Sequence, residues 1–273
     1  MSTVGLVTGA ARGIGEACAR RMAGTVDAMV LADVDEAGVA ATAAAITATG
    51  TNCEGVAMDL TDPIGVQMLV AAVGARGDLR SVAHIAGISP TMADARRVYD
   101  VDLVGTALLV DAIRPLTRAG TAVVCFGSMA AYVGASDNPA ADTAVDDPLA
   151  ADSFDAWAAA VGELATEPGM AYAWAKRGVQ RLVRREATAF GAVGARICSV
   201  SPGMVDTPMG RQEYEQQPYM QTIEAMTPLR RTAHADELAA VVAFLLSDEA
   251  SFVTGIDLLA DGGAVAAIGT RGL

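Results

Sequence analysis

The chain has 273 residues, 52% of them hydrophobic and 19% charged, which suits one large α/β domain or two small ones and argues against disorder. Its net charge of −13 excludes a broad nucleic-acid surface, because phosphate binding is built from Lys and Arg. No apolar run reaches the ~18 to 20 residues that cross a bilayer, and the N-terminus lacks the basic and apolar regions of a signal peptide, so a cytoplasmic protein without membrane partners is expected. Only two histidines occur, His84 and His234, so neither a histidine-rich metal site nor a His-based nucleophile triad is expected. Cys18, Cys53, Cys125 and Cys198 form no C-x-x-C pair and read as buried reduced thiols.

The first element is an apolar strand, Val4 to Val7, running into Thr8-Gly9-Ala10-Ala11-Arg12-Gly13-Ile14-Gly15 and then a helix to about Gly24. A glycine turn between strand and helix leaves backbone N–H groups and the positive end of the helix dipole open to an anion, and lets a diphosphate approach without a Cβ in the way. A second strand, Ala28 to Ala32, ends at Asp33, about twenty residues after the turn. A carboxylate there accepts hydrogen bonds from both ribose hydroxyls of an adenosine and repels a 2′-phosphate, which predicts NAD in preference to NADP. Arg12 is a nearby cation that partly tolerates a phosphate, and the other use of Asp33, as a helix N-cap, is open to Asp35 as well.

An Ala-rich helix from Glu36 ends near Gly50, and a third strand, Cys53 to Met58, ends in Asp59-Leu60. A helix follows Pro63, and a fourth strand, Leu79 to Ile85, runs into Ala86-Gly87, small residues against which a flat nicotinamide can lie. His84 within that strand reads as a buried histidine with a local partner. Val98 to Leu116 is a long helix, apolar nearly all round and therefore covered on two sides, either by the core or by a second subunit. The strand–helix alternation predicts one parallel sheet with helices on both faces and ligands at the strand tips.

A fifth strand, Ala122 to Phe126, delivers Gly127-Ser128, and a helix from about Gly169 to Phe190 carries Tyr172 and Lys176 on one face. A phenol of pKa about 10 is a poor base at neutral pH, and an adjacent ammonium stabilises its phenolate. Ser128 is placed to hydrogen-bond a substrate oxygen while Tyr172 exchanges a proton with it.

These motifs resemble the short-chain dehydrogenase/reductase family, and the resemblance extends to Ser201-Pro202-Gly203-Met204-Val205-Asp206-Thr207-Pro208, Thr254-Gly255 and Asp261-Gly262-Gly263. It implies a single Rossmann-like, doubly wound domain over residues 1–273 with a seven-stranded parallel sheet. It also implies NAD(P)-dependent oxidation of alcohols or reduction of ketones, here a secondary alcohol and its ketone with NAD preferred because of Asp33, and a homodimer or homotetramer is expected. Ser128, Tyr172, Lys176 and Asp102 match the catalytic positions. Gly9, Arg12, Gly13, Ile14, Gly15, Asp33, Asp59, Leu60, Ala86 and Gly87, with Tyr172 and Lys176, match cofactor-binding positions. Pro202, Gly203, Val205 and Thr207 match the segment that contacts the nicotinamide. Two departures stand out. The family's Asn-Asn-Ala-Gly is His84-Ile85-Ala86-Gly87, and its helix asparagine, which holds a water in the proton relay, is Asp102.

Residues 131–171 form an insertion with eight of the chain's 32 acids and no Lys or Arg; it resembles the 3α-hydroxysteroid dehydrogenase/carbonyl reductase branch. An acidic rim beside the site would disfavour anionic acyl-thioesters and admit a neutral steroid- or terpenoid-like substrate. Phe154, Trp157, Val161 and Leu164 fall at helical spacing within it. Residues 206–227, with Tyr214, Tyr219 and Met220, are expected to form a mobile lid. Two other readings stay open: a dinucleotide-binding regulatory protein without catalysis, and an acyl-thioester ketoreductase.

Overall fold

A computed structural model describes residues 2–135 and 137–271. The first half alternates β1 (Thr3–Thr8), α1 (Gly13–Met22), β2 (Ala28–Asp33), α2 (Glu36–Thr47), β3 (Asn52–Ala57), α3 (Pro63–Gly74) and β4 (Asp78–His84). Then come α4 (Ala95–Tyr99), a π turn (Asp100–Val104), α5 (Gly105–Ile113) and β5 (Ala122–Phe126). The second half holds α6 (Ala130–Val133), α7 (Pro139–Asp146), α8 (Ser153–Val161), α9 (Pro168–Ala192), β6 (Arg196–Pro202) and β7 (Val205–Asp206). It closes with α10 (Pro208–Gln216), α11 (Tyr219–Met226), β8 (Ala233–His234), α12 (Ala235–Leu246), β9 (Asp257–Ala260) and α13 (Ala264–Arg271).

Seven strands form one parallel sheet in the order β3-β2-β1-β4-β5-β6-β9, while β7 and β8 pair separately. Strand order reverses between β1 and β4, where the tips part and a ligand crevice opens. Side-chain alternation sends Leu6 and Val30 to one face of the sheet, under α3, α5 and α9, and Val7 and Leu31 to the other, under α1, α2 and α12. The helix starts follow the sequence locally. Asp35 accepts from the Gly38 N–H at 3.0 Å, Asp62 caps α3 ahead of Pro63, and Thr207 accepts from the Gly210 N–H at 3.0 Å. Asp35 therefore takes the capping role, and Asp33 is left at the strand tip.

The expected long helix begins earlier, at Ala95, and is interrupted by the π turn. Val98, Leu103, Leu109, Val110 and Ile113 are buried within the single chain, so intrachain packing already covers its apolar middle. His84 is buried and neutral: Nδ1 faces the Thr8 hydroxyl at 2.7 Å and Nε2 the Thr106 hydroxyl at 2.9 Å. Burial, reinforced by the charge of Lys176, pushes its pKa down to about 3.

The insertion corrects one expectation. Its acids do not rim the site. Asp142 receives both Nε (2.7 Å) and an Nη (2.9 Å) of Arg177, Asp146 receives Arg181, and Asp155 pairs with Arg96. Tyr99 of α4 stacks with Phe154 and Trp157 at ring separations of 5.4 and 5.5 Å, and its hydroxyl meets that of Ser153 at 2.8 Å. The acidic stretch is thus welded to α4 and α9 by arginines and an aromatic cluster supplied from elsewhere in the chain. Among the described residues, no acid of the insertion lines the site cavity. Leu164 lies just beyond α8 and is exposed. No described helix is long and apolar enough to cross a membrane.

Candidate active site

The strand tips open into one cavity of about 810 Å³ that runs from Asp33 at one end to Tyr172 and α10–α11 at the other. At the Asp33 end, Gly9 (φ +68°) and Gly13 (φ +59°) adopt the left-handed backbone that the turn requires. A Cβ on Gly15 would lie 1.9 Å from the carbonyl oxygen of Gly9, so the turn closes only with glycine there. Asp33 accepts from the Ala11 N–H and the Asp35 N–H, both at 3.0 Å, which orients its carboxylate and leaves lone pairs for further donors. Arg12 pairs with Asp35 at 3.3 Å. Glycine turn and fixed carboxylate, side by side at a helix N-terminus, fit a dinucleotide. Asp59 is held by Arg97 (2.6 Å) and by the Thr61 N–H and hydroxyl. Leu60, Ile14, Ala86 and Gly87 continue the wall, and Pro202, Gly203, Val205 and Thr207 face them.

The Tyr172 end is built from β5, α9 and the β4 loop. Ser128 is buried and its Oγ accepts from the Ala130 N–H at 3.2 Å; the same hydroxyl lines the cavity with Tyr172 and helps hold the phenol's pKa down. That effect is outweighed. Burial first, then the negative charges of Glu213 and Asp102, push the Tyr172 pKa well above the ordinary tyrosine value. Lys176 lies one helical turn on, with Nζ 5.5 Å from the Tyr172 ring centroid, 3.3 Å from the Phe126 carbonyl and 3.2 Å from Asp102 Oδ1.

Asp102 is placed differently from the other named residues. It is fully buried and does not line the cavity; it stands behind Gly87 and Lys176. Oδ1 accepts from the Ile88 N–H at 3.1 Å as well as from Lys176, while Oδ2 has no hydrogen-bond partner among the described residues. Burial raises its pKa against the opposing pull of Lys176. A Cβ on Gly87 would sit 2.4 Å from Asp102 Oδ1, so this ion pair packs directly on the glycine. Asp102, expected among the catalytic residues, thus touches Lys176 and the loop backbone and does not reach the cavity.

Every other site residue named from the sequence lines the same cavity. Several lining residues had no signal in the sequence, the glutamates Glu213, Glu215 and Glu224 among them, and of these Glu213 on α10 is the one whose charge acts on Tyr172. It follows Met209 by one turn in a run of mixed polar residues, and nothing in spacing or composition distinguishes it from Glu215 or Glu224. Only the folding of α10 over the strand tips turns it toward Tyr172.

Comparison with known proteins agrees with this architecture. The family profile described as short chain dehydrogenase matches residues 3–140, and one described as enoyl-(acyl carrier protein) reductase matches 156–265. Cis-4-hydroxycyclohexanecarboxylate dehydrogenase of Sinomonas cyclohexanicum is 33% identical over 96% of both chains. The 3-alpha-hydroxysteroid dehydrogenase/carbonyl reductase of Comamonas testosteroni is 29% identical over 94% of this chain and 95% of that one. The hydroxysteroid branch is thus one of several comparable relatives and does not stand out as the sequence resemblance suggested. Among solved structures, levodione reductase superposes with a TM-score of 0.77 at 28% identity, covering 97% of this chain and 98% of that one. The chain belongs to the short-chain dehydrogenase/reductase family of NAD(P)-dependent oxidoreductases.

Proposed function

We propose that this enzyme interconverts a neutral, cyclic secondary alcohol and its ketone with NAD as the preferred cofactor. The observation that carries the reading is the pairing of Ser128 and Tyr172 in a cavity continuous with the glycine turn and Asp33. Ring alcohols and ketones recur in the names of relatives: hydroxysteroid and levodione enzymes support the ring, and the cis-4-hydroxycyclohexanecarboxylate enzyme supports the ring alcohol although its named substrate also carries a carboxylate. The substrate end is walled by Ile88, Met92, Met170, Tyr219, Met220 and Ile223, which suits an alicyclic body of steroid or terpenoid type.

Gly9, Gly13 and Gly15 would admit the diphosphate, Asp33 would accept the adenosine ribose hydroxyls, and Ala86, Gly87 and the 202–207 segment would flank the nicotinamide. When bound, the nicotinamide supplies the hydride acceptor or donor. Ser128 donates a hydrogen bond to the substrate oxygen and fixes its position. Tyr172 transfers the proton at its phenolic oxygen. Burial and nearby negative charge hold that phenol in its protonated form, the form that gives a proton to a ketone oxygen; alcohol oxidation needs the same group ionised. Lys176, held by Phe126 and Asp102, keeps its ammonium beside the phenol and within reach of a ribose. Residues 206–227 act as a lid, with α10 and α11 closing the apolar end from water.

The test follows NADH absorbance with purified protein and a panel of neutral cyclic alcohols and ketones, including hydroxysteroids, repeated with NADP and with Tyr172→Phe. Turnover with NAD that Tyr172→Phe abolishes while NAD binding persists is the expected result. Turnover that survives Tyr172→Phe would overturn the assignment.

A further inference from the structure

Glu213 is an acid in a place where the chemistry of the reaction asks for none. It lies half-buried on α10, lines the same cavity as Tyr172, and acts on that phenol strongly enough to be the first charge opposing its ionisation. It is also held. Its neighbour Gln212 donates from Nε2 to Thr91 Oγ1 at 3.2 Å, Thr91 Oγ1 meets the fully buried Ser89 Oγ at 2.7 Å, and that serine hydroxyl acts in turn on the Glu213 carboxyl, opposing the rise that burial gives its pKa. A lid residue anchored in this way to the β4 loop is presented to the cavity in a defined orientation, unlike a solvated surface glutamate.

The cations around it complete the picture. Four Lys or Arg residues line the cavity among the described residues, and each is already paired with an acid: Arg12 with Asp35, Arg97 with Asp59, Lys176 with Asp102 and Arg211 with Asp206. A substrate carboxylate entering this chamber would meet Glu213 and find no free counter-ion. Desolvating a like-charge pair is costly, whereas a hydroxyl gives a buried carboxyl group the hydrogen bond that it needs.

We propose that Glu213 is a specificity-determining residue that binds a second hydroxyl on the substrate, away from the reacting carbon, and excludes substrates bearing a carboxylate. This rests on the reading of the cavity as the site of an alcohol/ketone reaction and narrows it to neutral, hydroxyl-bearing ring substrates. The lid thereby does more than exclude water: it contributes the polar contact that selects among rings of similar size.

The experiment compares wild type, Glu213→Gln and Glu213→Leu on three probes of one ring size: cyclohexanol, cyclohexane-1,4-diol and 4-hydroxycyclohexanecarboxylate. Both kcat/KM with NAD and the dissociation constant of each probe for the NADH-loaded protein are measured. Wild type is expected to favour the diol and to bind the carboxylate weakest. Glu213→Gln should raise the carboxylate-to-diol ratio at least tenfold, and Glu213→Leu should remove the preference of diol over cyclohexanol. Ratios unchanged in both variants would overturn the proposal. Binding ratios that shift in the absence of any turnover would uphold the role of Glu213 and count against the reaction assigned to the site.

Discussion

Lys176 Nζ and Asp102 Oδ1 lie 3.2 Å apart, with side chains 6% and 0% exposed, so the ammonium beside the tyrosine is partly neutralised by a buried acid. An asparagine there would hold the lysine without adding charge. The Asp102 carboxylate instead works against ionisation of Tyr172.

Asp102→Asn should therefore move the rise of alcohol oxidation with pH to lower pH, because removing a nearby negative charge stabilises the phenolate. The pH dependence of kcat/KM measures this directly. Ketone reduction, which needs the protonated phenol, should begin its high-pH fall at correspondingly lower pH. A profile identical to wild type would show that Asp102 does not act on the phenol.

His84 gives the fold an acid-sensitive component. Its folded pKa is about 3, below the ordinary histidine value near 6.5, so between those limits the unfolded chain binds a proton that the native chain refuses. The contribution is complete above pH 6.5 and is lost as pH falls. At pH 5 it amounts to about 2 kcal/mol relative to pH 7. Urea unfolding at the two pH values should show that extra loss in wild type and not in His84→Asn. Equal losses in the two proteins would place the acid sensitivity elsewhere.

Asp142 anchors the insertion through a bidentate pair with Arg177, and these side chains are only 19% and 25% exposed. Asp142→Ala should lower stability by about 1 kcal/mol or somewhat more, since a partly buried, two-point ion pair exceeds a surface one. It should leave the ratio of kcat/KM between charged and neutral substrates unaltered. A changed ratio would restore a selective role for the insertion.

How far the site can be read from the sequence depends on whether the information is local. The strand tips were legible because each is an apolar run ending in a residue that the core would reject or that has almost no side chain: Asp33, Gly87, Ser128. Tyr172 and Lys176 were legible because helix geometry alone puts them on one face. The insertion was misread because its charge was counted locally, while its partners, Arg96, Arg177 and Arg181, lie on helices brought together only by folding. Asp102 was recognised by position, but its retreat behind Gly87 depends on the π turn, which leaves no mark in hydrophobic periodicity. Glu213 needed the packed lid before it could be told from its acidic neighbours.

The π turn at Asp100–Val104 ties the packing of one helix to the placement of Asp102. It carries one more residue than a regular α turn, and deleting one would restore the regular ladder. The same deletion would rotate everything on one side of it by about 100° and swing Asp102 away from Lys176. It would also turn one of the two buried faces of the helix, Val98 on one side or Leu109, Val110 and Ile113 on the other, out of the core. Idealising this helix during engineering would therefore cost packing and leave the lysine adrift together.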